Sequence, residues 1–432
     1  PSPELGWNIP TSTFARTMGT FLVSPPTGTP TPGMPRHDKE SGPTMISVAQ
    51  ALSRMLPAFS PVGTERRMLL AAQDAHLAVS VNARRDLPAF DNSAMDGYAL
   101  RHDALDTATD QHPVSLTLQG ESRAGSQMPG SLAPAVTMRI FTGAPLPEGA
   151  DAVELQENVE RCGTQVLFRR PVSSWANVRR QASDLTAGHP LLQAKTRLGP
   201  AELALLASQD IATVEVFRSP RVAVLSSGDE LREVGEANRP GSIVNTNAYA
   251  LAAQIREAGA SPWILPVARD RMEDLLERVA QGLQADVLLC TGGVSVGDHD
   301  LVRQAFSEAG VKQDFYKVAM KPGKPLAFGI HGNTPVVGLP GNPISAMVTF
   351  ELFVRPGLRR MIGDPYPFRT RVLARLDHDH RHSPGRLEFA RATLLRDARD
   401  GSPRLTMHAR QGSGSLTSSV GANALAMLAR GR

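Results

Sequence analysis

Hydrophobic and polar positions fall into distinct regimes along the chain. Residues 1–43 are rich in Pro, Thr, Gly and Ser and show little periodicity. Such a stretch buries too little surface to order itself, so residues 1–43 are expected to be a disordered tail. From Met45 the pattern becomes orderly. Residues 46–55 and 64–78 carry apolar positions at helical spacing, with Thr64 as the expected N-cap of the second helix. Residues 114–171 then read as β, in SLTLQG, VTMRIFTGAPLP, DAVELQENVE and TQVLFRR, separated by Gly/Pro turns. LGPAELALLAS predicts a short helix. From Ser219 strand patterns (RVAVLSS, WILPVA, VLLC, PVVGL) alternate with helical ones (NAYALAAQIREAGA, RMEDLLERVAQGL, DLVRQAF, PISAMVTFELF). That alternation predicts a parallel, doubly wound sheet. After Gly363-Asp364-Pro365, the segments RVLARL, GRLEFARATLL and PRLTMHA alternate again and predict a small β domain.

The sharpest chemistry lies in ADVLLCTGGVSVGDHDLVRQAF. Its continuous apolar run reads as a strand buried on both faces. A loop holding Gly292, Gly293, Ser295 and Gly297 follows, then Asp298 and Asp300, then a helix from Leu301. Strand, glycine loop and helix together aim backbone N–H groups and a positive helix end at an anion. Carboxylates there repel an anion unless a divalent cation bridges the two, or one acid handles a proton. A tight turn with an Asp N-cap explains the loop taken alone.

Its company argues for a site. In doubly wound sheets ligands sit beyond the carboxyl ends of the strands. Four such ends carry polar turns: Ser227, Gly228, Asp229 and Glu230; Asp270; the glycine loop; and Pro340, Gly341, Asn342 and Pro343. All are predicted to converge on one edge. Lys317, Lys321 and Lys324 beside them suit an oxyanion such as phosphate or a tetrahedral oxometalate. Upstream, FDNSAMDGYAL, with Asn92, Ser93 and Asp96, reads as a binding loop, and Thr142-Gly143 form a sharp turn leaving a strand. Arg179 and Arg180 near Asp184 read equally as a surface ion pair or a bidentate phosphate clamp.

Composition narrows the class. A chain of 432 residues is too long for one core and implies several domains. Its 41% apolar content contains no run of about 20 apolar residues, so no membrane span is expected. A net charge of +4 without a dense Lys/Arg block suits anionic small molecules better than nucleic acid. Only Cys162 and Cys290 occur, which excludes a disulfide framework and makes the cytoplasm the simplest home.

The ordered set PAFDNSAMDGYA, IFTGAPLPEGADAV, SSGDEL, TGGVSVGDHD, MKPGKP and GLPGNPISA resembles the molybdopterin molybdenumtransferase family, the bacterial MoeA proteins and the gephyrin E domain. The resemblance covers roughly residues 45–430 and implies a multidomain α/β plus β chain. A β domain (89–173) would be inserted into an elongated first domain (44–88 and 174–218). A doubly wound molybdopterin-binding α/β domain (219–364) and a small C-terminal β domain (365–432) would follow. It also implies a cytoplasmic homodimer whose site joins Asp96 and Thr142 of one subunit to the α/β domain of the other. The implied reaction is Mg²⁺-dependent: adenylylated molybdopterin and molybdate bind, AMP is released and the metal enters the dithiolene. Glu230, Asp270 and Asp300 would hold Mg²⁺ and orient the hydrolytic water, with Asp96 adding a further acid. Lys317, Lys321 and Lys324 would hold molybdate or phosphate near Ser295, and Arg391 and Ser413 would complete an anion site. Other cofactor-assembly proteins and apo-molybdoenzymes are the implied partners. The chain departs from the family pattern at Ala182-Ser183-Asp184, where Gly-Glu-Asp is usual. It also stops soon after ALAMLARGR, so the last sheet is expected to lack an edge partner. Two other readings compete: another enzyme built on the α/β module, which would not need the DNSAMDGYA half, and a non-catalytic scaffold.

Overall fold

The computed structural model describes residues 19–23, 45–293, 301–380 and 385–428. Ser295, Gly297, Asp298 and Asp300, and most of the expected tail, lie outside the described residues. The chain divides into two compact units, Arg67–Val214 and the residues flanking it on both sides. No described helix is long and apolar enough to cross a membrane.

The flanking unit opens with strand β1 (Gly19–Val23) and helix α1 (Val48–Met55). Helix α1 starts at a reciprocal cap: Ser47 Oγ accepts from Gln50 N at 3.2 Å, and Gln50 Oε1 accepts from Ser47 N at 2.8 Å. Residues 64–78 are not the helix that periodicity predicts. Thr64–Met68 is a short strand and Leu70–Ala72 a single 3₁₀ turn. Instead of capping a helix, Thr64 Oγ1 donates to Glu215 Oε1 at 2.7 Å. Strand pairing outweighs a local propensity that is weak over so few residues.

In the unit Arg67–Val214, six strands form one mixed sheet: β2 (Gly97–Leu100), β3 (Val114–Ser122), β4 (Val136–Ile140), β5 (Ala152–Leu155), β6 (Val159–Cys162) and β7 (Gln165–Phe168). Their order is β5-β2-β4-β3-β7-β6, with β3 and β4 parallel and the other neighbours antiparallel. Tyr98, Leu100, Leu116, Val166 and Phe168 fill one face, while Ala99, Met138, Ile140 and Val153 fill the other. Helix α2 (Pro200–Ser208) lies where LGPAELALLAS predicts it.

The flanking unit holds the second sheet: β8 (Arg221–Ser226), α3 (Thr246–Glu257), β9 (Ser261–Ile264), α4 (Met272–Gly282), β10 (Val287–Thr291), α5 (Leu301–Glu308), β11 (Lys312–Lys317), β12 (Pro325–His331), β13 (Thr334–Leu339), α6 (Pro343–Thr349) and α7 (Arg355–Met361). The order is β9-β8-β10-β13-β12-β11. The first four strands are parallel; β12 and β11 add an antiparallel edge. Alternate residues of one strand enter two cores. Val222, Val224, Val287 and Leu289 meet α3, α6 and α7, whereas Ala223, Leu225, Leu288 and Cys290 meet α4 and α5. Burial on both faces is why these strands read as unbroken apolar runs.

The last sheet contains β14 (Arg375–Leu376), β15 (Leu387–Arg396), β16 (Pro403–Met407) and β17 (Ala424–Leu428), in the order β1-β17-β15-β16-β14. The edge of β17 is not vacant. β1 pairs with it in parallel, from Gly19 against Ala424 to Val23 against Leu428. A strand therefore lies inside the segment whose composition predicts disorder, because GTFLV is apolar enough to add to an open ladder.

Candidate active site

Three of the four predicted strand ends meet at one cavity; Asp270, after β9, is not among the residues that line it. A cavity of about 440 Å³ at the carboxyl ends of β8, β10 and β13 is lined by Ser226, Ser227 and Glu230, by Thr291-Gly292-Gly293, and by Pro340, Gly341, Asn342 and Pro343. Gly292 is needed for this approach: with φ +91°, a Cβ there would stand 2.4 Å from the Ser227 carbonyl. At Gly228, a Cβ would meet the Glu230 carboxylate at 2.4 Å, so this side chain folds back over its own turn.

The wall that completes the cavity comes from the entry to α3: Ile243, Val244, Asn245, Thr246 and Asn247. Asn245 precedes α3, and Thr246 and Asn247 open it; these three polar residues carry no role in the sequence reading. Asn245 caps α3 through a bond from Ala248 N at 3.3 Å and accepts from Ser226 Oγ at 3.0 Å. Asn247 Nδ2 donates to Thr291 Oγ1 at 2.8 Å and to the Gly341 carbonyl at 2.7 Å. A short run of Asn and Thr at the start of a helix was the available signal.

Of three neighbouring carboxylates Glu230 is the one that lines the cavity, and Asp229 and Asp270 lie beside it. Burial pushes the Asp270 carboxyl above the usual aspartate range, and the negative charges of Asp229 and Glu230 raise it further. Asp270 N donates to Asp229 Oδ1 at 3.3 Å. Arg269, a residue the motifs do not flag, holds this turn together. Its Nη1 donates to the carbonyls of Leu231 at 2.9 Å and Asp229 at 3.3 Å, and lies 3.5 Å from that of Gly228. Among the described residues no group of three or more His, Cys, Asp or Glu side chains is arranged to hold a metal ion.

Of the three lysines, Lys321 is partly committed. Its Nζ lies 3.1 Å from Oε1 of the buried Glu388. Lys317 Nζ sits 5.1 Å from the centre of the Tyr316 ring, and Lys324 precedes Pro325, which lines the cavity. Arg391, expected to bind an anion, is 1% exposed. Its Nε donates to Ser418 Oγ at 3.0 Å and its Nη2 to the carbonyl of Arg410 at 2.9 Å. A fully buried guanidinium needs such acceptors, so here Arg391 braces a loop instead of facing solvent. Ser413 of that loop meets α6, its carbonyl accepting from Ile344 N at 3.1 Å.

In the unit Arg67–Val214, a second polar corner forms. Asp96 Oδ1 accepts from Thr142 N at 2.7 Å and from Thr142 Oγ1 at 2.8 Å, which together hold its carboxyl below the usual range. Ser93 and Gly143 zip the two loops, Gly143 N donating to the Ser93 carbonyl at 2.8 Å. The side chains of Asn92 and Ser93 are buried and bond within their own loop, to the Phe90 and Met95 carbonyls. They shape the corner without facing solvent. Arg139, unflagged by sequence, donates to the Gly97 carbonyl at 3.2 Å between the Tyr98 and Phe141 rings, 5.1 Å from each centre. Arg179, Arg180 and Asp184 are exposed, and Arg180 stacks on Trp175 at 4.3 Å.

Comparison with known proteins agrees with this geometry. Residues 46–209 match the MoeA N-terminal region (domain I and II), residues 223–360 a probable molybdopterin binding domain, and residues 374–432 the MoeA C-terminal region (domain IV). The chain is 38% identical over 359 residues to a molybdopterin molybdenumtransferase of Nostoc sp., covering 82% of each. It is 37% identical over 353 residues to molybdopterin molybdenumtransferase 2 of Mycobacterium tuberculosis, covering 80% of this chain and 86% of that one. The crystal structure of a molybdopterin biosynthesis MoeA protein from Pyrococcus horikoshii superposes with a TM-score of 0.78 at 31% identity, covering 90% of this chain and 95% of the other. By motif order, domain sequence and fold, the chain belongs to the molybdopterin molybdenumtransferase (MoeA) family.

Proposed function

We propose that this chain is a transferase of molybdenum cofactor biosynthesis that inserts molybdenum from molybdate into adenylylated molybdopterin, with Mg²⁺-dependent hydrolysis and release of AMP. The observation that carries this reading is the cavity beyond β8, β10 and β13. It joins glycine turns open to close backbone approach with an acidic turn on its wall. Cleaving a phosphoanhydride needs charge neutralisation and positioning more than covalent chemistry.

The donor set suits Mg²⁺. Its atoms are hard carboxylate oxygens, and the Asp270 carboxyl, raised first by burial and further by the charges of Asp229 and Glu230, is one whose ionised form a divalent cation would favour. Glu230 and Asp270 would hold it, together with Asp300 from outside the described residues. When bound, it would supply charge neutralisation at the phosphates. These acids would also orient the attacking water, whose proton passes to solvent as the bond forms. The new P–O bond forms on the adenylyl phosphorus, the anhydride P–O bond breaks, and AMP leaves. Lys317, Lys321 and Lys324 offset the anionic charge of the phosphates and molybdate. Asp96, kept ionised by Thr142, acts on the partner subunit's site in a cytoplasmic homodimer. Arg179 and Arg180, exposed and unengaged by Asp184, remain free to clamp phosphate.

The test mixes purified protein with adenylylated molybdopterin, Mg²⁺ and molybdate and quantifies AMP. Molybdate-dependent AMP release that also activates an apo-molybdoenzyme is expected. Tight binding with no AMP release would overturn the transferase reading.

A further inference from the structure

Two polar atoms of the residues that line this cavity are buried and have no partner among the described residues: Asn247 Oδ1 and Ser227 Oγ. The orientation of Asn247 is determined by its neighbours. Both Nδ2 hydrogens are used, on Thr291 Oγ1 at 2.8 Å and the Gly341 carbonyl at 2.7 Å. Thr291 Oγ1 spends its own hydrogen on the Pro340 carbonyl at 3.2 Å. Turning the amide over would aim its oxygen at two acceptors, so Oδ1 is left as an acceptor without a donor. Ser227 is 3% exposed, and its Oγ would lie 3.0 Å from a Cβ built on Gly293, directly beneath the glycine turn.

Buried polar groups in native proteins are paired, so an orphaned acceptor in a ligand cavity marks where a ligand donor goes. Molybdate and the ionised ester and anhydride phosphates of an adenylylated pterin carry no donor and would meet Oδ1 with repulsion. A pterin carries ring N–H and amino donors on one edge. Ile243 and Val244 line the same cavity and offer apolar surface to a flat ring.

We infer that Asn247 Oδ1, assisted by Ser227 Oγ, reads an N–H edge of the heterocycle. The ring end of the substrate, not its phosphate end, therefore seats against the wall formed by Thr291 and Gly341. This rests on the proposed function, because it takes a pterin as the ligand. It makes Asn247 a specificity-determining residue that sets which way the substrate lies.

The test titrates full-length protein with fluorescent 6-hydroxymethylpterin and its N3-methyl derivative, with orthophosphate as a third probe. The wild type is expected to bind the parent pterin at least tenfold more tightly than the N-methylated one. In Asn247→Leu this preference falls to within about twofold. Comparing a preference removes any general damage from losing the bonds to Thr291 and Gly341. Ser227→Ala, which breaks no bond in the structure, weakens parent pterin binding several-fold and leaves orthophosphate binding unchanged. Equal affinity for both pterins in the wild type, or a preference that survives in Asn247→Leu, overturns the inference. So does orthophosphate affinity that falls in step with pterin affinity in Ser227→Ala. A wild type that releases AMP yet binds both pterins equally refutes this inference and leaves the transferase reading standing. A wild type with the preference but no AMP release does the reverse.

Discussion

Replacing Arg269 by Met tests whether the acidic turn works because it is held in place. Met keeps the apolar stem and removes the guanidinium. Two bonds disappear, from Nη1 to the carbonyls of Leu231 at 2.9 Å and Asp229 at 3.3 Å; the 3.5 Å approach to Gly228 is too long to count. Bonds to a charged donor contribute about 1.5–3 kcal/mol each when buried. Arg269 is only partly buried, so water replaces some of that, and about 2 kcal/mol for the pair is a fair figure. The loss falls on the turn carrying Asp229 and Glu230, not on the cores of the sheet. If the turn must be in place for chemistry, about 2 kcal/mol lowers turnover roughly 30-fold. The assay measures AMP released from adenylylated molybdopterin under saturating Mg²⁺ and molybdate, beside a thermal melt. A melt close to wild type with a large fall in turnover is expected. Turnover within threefold of wild type would refute the idea that Arg269 positions the acids.

Three other outcomes follow from the electrostatics. Asp229→Asn removes one like charge beside Asp270, so the Asp270 carboxyl falls toward the ordinary range and the acid limb of the pH–rate profile moves to lower pH. For the same reason, ionising Asp270 opposes folding as pH rises from the unfolded toward the raised folded value, and this variant lessens that opposition. Thr142→Val keeps the backbone bond to Asp96 and removes the hydroxyl bond, so the carboxyl titrates at higher pH, read by NMR. The Asp96 contribution to stability is present above the ordinary aspartate value and is lost as pH falls through the depressed one; in the variant the contribution is smaller and its loss is complete at a higher pH. Glu351→Gln strips the carboxylate that Arg369 Nε meets at 2.7 Å and Arg355 Nε at 3.6 Å, and burial already pushes Arg355 down to about 10. Leaving those charges uncompensated costs about 3 kcal/mol or more, seen as a lower denaturation midpoint at unchanged slope.

Motifs were legible where local chemistry and fold agree. The glycine turns at Gly228 and Gly292 could be read because both take a positive φ and leave no room for a Cβ, beside the Glu230 carboxylate and the Ser227 carbonyl respectively. The parallel sheet was legible because strands buried on both faces carry continuous apolar runs, as Val287–Thr291 does. Arg269 and Arg139 were not, because an arginine in sequence looks like any solvated charge until the carbonyls or rings it meets are known. Thr64 looked like a helix cap because its role is set by Glu215, far along the chain.

The sequence by itself determined the order of domains, the alternation that builds the sheet and the turns that line the cavity. These depend on spacing and on which residues permit a given backbone. Tertiary structure decided what each polar side chain is for. It buried Arg391 beneath a loop, zipped Asn92 and Ser93 into their own turn, laid β1 along the open edge of β17, and left Asn247 Oδ1 without a donor among the described residues. A hydrogen-bonding group takes its role from its partner. Those partners come from positions that only the fold brings within about 3 Å.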